Sequence, residues 1–231
     1  MRSTLLGIGL FALACGNESV ESEDIRTTGI YPEIRVTATG NGSSLVRVQL
    51  KVGGSDSNTL LNLTGDDRLE ATVEGSTKTL DETDDETYTA SFPFDEVDTE
   101  FTIAFLRGDA DESAPASTVS LPAPFTLALG ATEASRATDD VELTWDPPAS
   151  GNVAWEIEGD CIIRNDDSTP DDGGHTLPAG SIETFDSDAE ESCTVDLSVT
   201  RSQDGDIDSA FTEGGSIVAR QVRGDSFEST P

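Results

Sequence analysis

Lysine is almost missing from this chain. Of 231 residues, 13 are basic against 46 acidic, for a formal net charge of −33, and only Lys51 and Lys78 are lysine. Phosphate backbones are gripped by clustered Lys and Arg, so this balance argues against a nucleic-acid partner. It also leaves no basic surface to draw the chain onto an anionic membrane. Histidine is reduced to His175, and no G-x-S-x-G elbow, phosphate loop, H-E-x-x-H or C-x-x-C pattern occurs. Aromatics make up 6% and hydrophobic residues 35%, enough for small cores and lean for a deep enzyme core. No apolar run reaches the ~20 residues of a membrane-spanning helix.

What is present is alternation. From residue 30 onward the apolar period is two. Ile34, Val36 and Ala38 alternate with Arg35 and Thr37; Val46, Val48 and Leu50 alternate with Arg47 and Gln49. Tyr88, Ala90 and Phe92, then Phe101, Ile103 and Phe105, repeat the pattern. Clusters such as Gly53-Gly54-Ser55-Asp56 and Gly65-Asp66-Asp67 punctuate these runs as turns. The pattern predicts an all-β protein of sandwiches, one face of each strand inside, and argues against intrinsic disorder despite the charge. Leu121-Pro122-Ala123-Pro124 cannot serve a central strand. It divides the body into domains at 29–122 and 123–231, with one continuous larger sandwich as the competing layout. Carboxylate excess with little lysine also suits a protein working in brine, where the Debye length falls to ~3 Å near 1 M salt.

The amino terminus reads MRSTLLGIGLFALAC: Arg2, a short uncharged apolar run from Leu5 to Leu13, then Ala14-Cys15. It resembles the bacterial lipobox, with Ala12 where that motif more often has Leu. The resemblance implies a signal peptide over 1–14, cleavage before Cys15, and a diacylglycerol on its thiol. The membrane is then reached through lipid, and Gly16 after the cysteine implies sorting to an outer membrane. Residues 15–28, polar and acidic, read as the lipidated cysteine and a flexible tether. An ordinary secretory leader or a cytosolic start is the alternative. Setting Cys15 aside leaves Cys161 and Cys193, an even pair suited to a disulfide in an oxidising compartment.

In the second domain, VELTWDPP, VAWEIEG and CTVDLSV resemble strands B, C and F of a fibronectin type III module over about residues 125–230. The resemblance implies that Trp145 and Trp155 pack in the core. Cys193 stands where that family usually has a tyrosine. In the first domain, Asp85-Glu86-Thr87-Tyr88 resembles the approach to an immunoglobulin-like tyrosine corner. The expected fold is thus two tandem immunoglobulin-like or fibronectin type III-like sandwiches. Cys161 shares the parity of Trp155 and Ile157, and Cys193 that of Val195 and Leu197, so both thiols point inward. They are either bonded across a polar loop at 166–174 or form a free buried pair.

Chemistry has few candidates. His175, in an expected loop, could serve a hydrolase only beside a nucleophile and an orienting acid. Calcium needs six to eight oxygens, and Asp204, Asp206 and Asp208 are the first candidates, followed by Asp166, Asp167, Asp171 and Asp172. Neither run completes the D-x-[DN]-x-[DN]-G loop with a distal glutamate. Arg220 and Arg223 form a small basic spot. The expectation is a non-enzymatic, lipid-anchored envelope protein, a structural or binding module for an envelope protein or surface polymer, requiring no cofactor. A calcium-dependent adhesive module and a secreted hydrolase are the alternatives.

Overall fold

Alternating apolar residues need a second layer to cover them, and this chain supplies one twice. The computed structural model describes residues 18–83, 86–108, 111–185 and 190–231. The first half comprises β1 (Glu18–Glu21), β2 (Ile30–Ala38), β3 (Ser44–Val52), β4 (Thr59–Asn62) and β5 (Arg68–Val73). It continues with β6 (Ser76–Thr79), β7 (Asp81–Glu82), β8 (Thr87–Phe92), β9 (Glu100–Leu106) and β10 (Ala114–Ser120). The second half comprises β11 (Thr126–Leu129), β12 (Glu133–Ser135), β13 (Val141–Asp146), β14 (Asn152–Glu158) and β15 (Asn165–Pro170). It ends with β16 (Gly174–Leu177), β17 (Cys193–Asp204) and β18 (Ser216–Thr230).

In the first sandwich β2, β3 and β8 form one layer, and β10-β9-β5-β6 the other. In the second, β11-β13-β16 faces β18-β17-β14-β15. Both halves therefore repeat one plan, three strands against four in the same chain order, as expected of fibronectin type III-like sandwiches. The first core joins Val36, Val46, Val48 and Leu50 to Leu69, Val73, Phe101 and Phe105. Phe92 meets Phe101 edge-on at 5.8 Å. The second core joins Val141, Leu143 and Trp145 to Val153, Trp155, Ile157, Val195 and Phe227. Both tryptophans are buried, as the resemblance implied.

Three elements depart from the sequence reading. Residues 18–28 are not a free tether. β1 lies parallel to β4, Ser22 and Thr27 are buried, and Val20 and Ile25 pack on the first core. Arg107 fastens the segment: Nη1 donates to Ile25 O (3.0 Å) and Thr27 Oγ1 (3.1 Å), and Nη2 to Ser22 O (2.9 Å). Its own charge is balanced by Asp67 at 2.9 Å in the same buried site. Tyr88 sits on β8, in the three-stranded layer, and is no tyrosine corner. Its hydroxyl accepts from Leu63 N at 2.9 Å, binding the loop after β4. The polar segment expected as a loop over 166–174 is mostly β15, paired with β14 from Asn152↔Pro170 to Ile157↔Asn165. An edge strand with polar side chains at nearly every position carries no alternation to read.

The last hairpin departs most from two separate modules. β18 is 15 residues long. Its C-terminal half completes the second sandwich. Its N-terminal half, Ser216–Gln221, lies parallel to Glu33–Ala38 of β2 in the first. One sheet thus runs without a break through both halves, in the order β4-β3-β2-β18-β17-β14-β15. The turn at 205–215 lies on the first sandwich: Phe211, Ile217 and Ala219 are buried in its core, and Phe211 stacks on Phe105 at 6.3 Å. The hydrophobic cores accordingly follow the chain up to residue 204; Phe211, Ile217 and Ala219 then return to the first core, and Phe227 rejoins the second. The connector is short as well, since Leu121 is buried in the first core and Phe125 in the second.

Candidate functional site

Asp171 and Asp208 of the acidic runs are engaged structurally. Asp171 is buried under the connector: its Oδ1 accepts from Trp145 Nε1 (2.8 Å) and Arg201 Nη2 (2.8 Å), its Oδ2 from Arg201 Nε (2.5 Å). Burial by itself would raise the Asp171 pKa, but the hydrogen bonds from Arg201 and Trp145 outweigh it and hold the carboxyl below its ordinary value. Arg201 also donates to Ala123 O (2.7 Å) and Pro147 O (3.0 Å), and lies 4.9 Å over the Phe125 ring. This ion pair, with both side chains at most 5% exposed, pins the start of the second sandwich to its core.

Asp204, Asp206 and Asp208 do not converge. Asp206 exchanges backbone hydrogen bonds with Thr118 of β10, each 2.8 Å. Asp208 Oδ2 accepts from Ala116 N (2.8 Å), and its Oδ1 accepts from Ala210 N (2.9 Å). The run that held the first calcium candidates docks the hairpin turn onto the first sandwich. Among the described residues no three His, Cys, Asp or Glu side chains gather as a metal site.

Cys161 and Cys193 are bonded, with Cα atoms 5.8 Å apart and a sequence separation of 32. Arg136 Nη1 donates to Cys161 Sγ (3.3 Å) and Ser229 Oγ (3.2 Å), so the bridge, β18 and the segment after β12 share one buried polar knot. Cys15 lies outside the described residues. His175 belongs to β16 rather than to a loop, and its ring stacks on Trp155 at 5.3 Å. Among the described residues it has no nucleophile or carboxylate as a hydrogen-bond partner, so the triad that a hydrolase would need is not assembled around it.

The continuous sheet creates something the sequence did not announce. On its outer face Arg35 of β2 stands directly across from Arg47 of β3. On the other side β18 places Val218 beside Arg35, and Arg220 two pairs further along beside Thr37. Arg35, Arg47, Arg220, Gln49, Glu33 and Ser216 line a groove of about 280 Å³. Glu33, the carboxylate within it, is held by Lys51 Nζ at 2.7 Å. Among the described residues none of the three arginines forms an ion pair. Arg47 reaches Thr87 Oγ1 at 3.5 Å, whereas the buried Nε of Arg220 has no acceptor. Burial, then the charge of Arg35, lowers the pKa of Arg220. Arg223, grouped with Arg220 on sequence, turns to the opposite face and donates to Val222 O (2.8 Å) and Gln221 Oε1 (3.1 Å).

Comparison with known proteins adds little to this geometry. No protein-family model matches the chain, and no curated protein matches it. Among solved structures it is similar to a two fibronectin type-III domain segment from chicken tenascin, at 9% identity, covering 87% of this chain and 99% of that one with a TM-score of 0.27. At that score the likeness carries no argument. The assignment to fibronectin type III-like sandwiches rests on the strand order found twice in this chain.

Proposed function

We propose that this chain is a non-catalytic envelope lipoprotein, anchored through Cys15, whose two sandwiches act as one rigid structural or binding module outside the cytoplasm. The observation that carries the module reading is the β17–β18 hairpin, which belongs to both halves and makes them a single sheet. Domain pairs joined only by a linker move relative to one another by default; a shared strand whose turn is docked through buried Phe211 removes that freedom. A rigid body presenting one long sheet face suits display and binding. The Cys161–Cys193 bridge supports an oxidising compartment, and Cys15 is the remaining cysteine of the sequence, at the end of an apolar leader. Among the described residues no helix is long and apolar enough to cross a membrane. In the anchor proposed, two acyl chains hold far more firmly than one.

The test is fractionation with acyl labelling of the full chain and of Cys15→Ser. The wild type is expected in the membrane fraction with acyl mass on a mature start at Cys15; the variant is expected to be unlabelled and released. Retention of Met1, or a labelled Cys15→Ser protein, would overturn the anchor.

A further inference from the structure

We propose that the arginine groove on the continuous sheet is a binding site for the carboxylate of an acidic saccharide, a uronate unit of a surface polymer. The inference rests on reading the body as a binding module and names its ligand. Like charges directly opposite on neighbouring strands destabilise a sheet, and Arg35 faces Arg47 in that way. With 46 carboxylates against 13 bases, a counter-charge would be easy to supply. Yet the one acid in the groove is committed to Lys51, and Arg220 keeps a buried donor without an acceptor. Unspent guanidinium donors on adjacent strands are matched by a planar oxyanion, which accepts them two at a time.

The saccharide part of the proposal comes from what adjoins the arginines. Arg220 also lines a second depression of about 200 Å³, which continues the groove over β17. There Ser198, Thr200 and Ser202 alternate with buried Leu197, Val199 and Arg201, so their hydroxyls face outward. Ser202 stands directly across from Arg220. Asp166, Asp167 and Glu156 border the same depression and can accept hydrogen bonds from sugar hydroxyls. A track with cations at one end and hydroxyls and acceptors at the other matches a polyhydroxylated ligand bearing one carboxylate per unit. The groove is open at the surface of the sheet, so a chain can pass through it.

The experiment is titration calorimetry of the lipid-free full body in 0.5 M NaCl, where the net negative charge is screened to within ~5 Å. The probes are a galacturonate trimer, neutral maltotriose and sodium sulfate. The trimer is expected to bind and maltotriose not to. Sulfate is expected to compete only weakly. Arg35→Gln and Arg220→Gln are each expected to weaken the trimer by roughly tenfold or more, the loss of a charged hydrogen bond. Both variants are expected to melt no lower than wild type in 1 M NaCl, because neither removes an ion pair among the described residues. No trimer binding, equal binding of maltotriose, or unchanged affinity in both variants overturns the proposal. Sulfate binding as tightly as the trimer overturns the saccharide part. Self-association that both variants abolish would identify a second copy as the occupant, and also overturns it. Every one of these failures leaves the anchor test at Cys15 unaffected.

Discussion

Gly205 lies hard against β10 of the first sandwich, and replacing it by alanine tests the shared hairpin directly. A Cβ built at Gly205 would lie 2.1 Å from Thr118 O, 2.7 Å from Val119 Cβ and 2.9 Å from Val119 Cα. Two of these are backbone atoms of β10, which cannot swing aside as a side-chain tip would. Relief requires shifting the turn from the first sandwich, and forced overpacking of this kind costs ~1–3 kcal/mol. The ceiling is complete undocking. That would break the two Thr118–Asp206 hydrogen bonds and the Ala116–Asp208 bond, each ~1 kcal/mol net. It would also uncover Phe211 and Ile217, at ~1.5–3 kcal/mol apiece. Since undocking costs more than a strained fit, the turn is expected to stay docked, and Gly205→Ala to lower the unfolding free energy by about 2–3 kcal/mol. Urea unfolding followed by tryptophan fluorescence gives the number. It is informative because both tryptophans lie in the second core while the clash is with the first. Gly29→Ala is the control: its Cβ would meet only Ile25 Cγ2 at 3.9 Å, so it should be neutral or stabilise by up to ~1 kcal/mol. A Gly205→Ala midpoint equal to wild type would refute the docking of the hairpin.

Asp171→Asn leaves the Arg201 guanidinium buried without its counter-charge and should cost about 3–5 kcal/mol by denaturant titration. Because the folded pKa of Asp171 lies below that of an ordinary aspartate, its contribution is present above the unfolded pKa and lost as pH falls through the folded one. Wild type should therefore lose more Tm between pH 5 and pH 2 than Asp171→Asn does, and parallel curves would contradict this. Reducing the Cys161–Cys193 bridge, or replacing both cysteines by serine, should remove roughly 3–4 kcal/mol for a loop of this size, read as a lowered urea midpoint. With a net charge of −33, the Tm of the body should rise between low salt and about 1 M NaCl as self-repulsion is screened; a flat or falling Tm in differential scanning calorimetry would count against adaptation to brine.

The sequence by itself determined the alternating strands, the β class and the inward thiols. A period of two can bury one face only as half of a sandwich, and Val141, Leu143 and Trp145 or Val195, Leu197 and Val199 declare that face wherever they stand. Elements without alternation were illegible for the same reason. β15 has almost no apolar residue to mark its pleat, and the segment 18–28 is held by carbonyls donated to from Arg107, which composition cannot register. Only the tertiary structure decided what the long-range partners are. It turned Asp204, Asp206 and Asp208 from a possible ion loop into the lining of a docked turn. It parted Arg220 from Arg223, because neighbours of opposite parity on one strand face opposite ways. It brought Arg220 beside Arg35 and Arg47, some 170 or more residues away in sequence. Periodicity is a local property of the chain, whereas the parallel pairing of β18 with β2 depends on where two finished sandwiches meet.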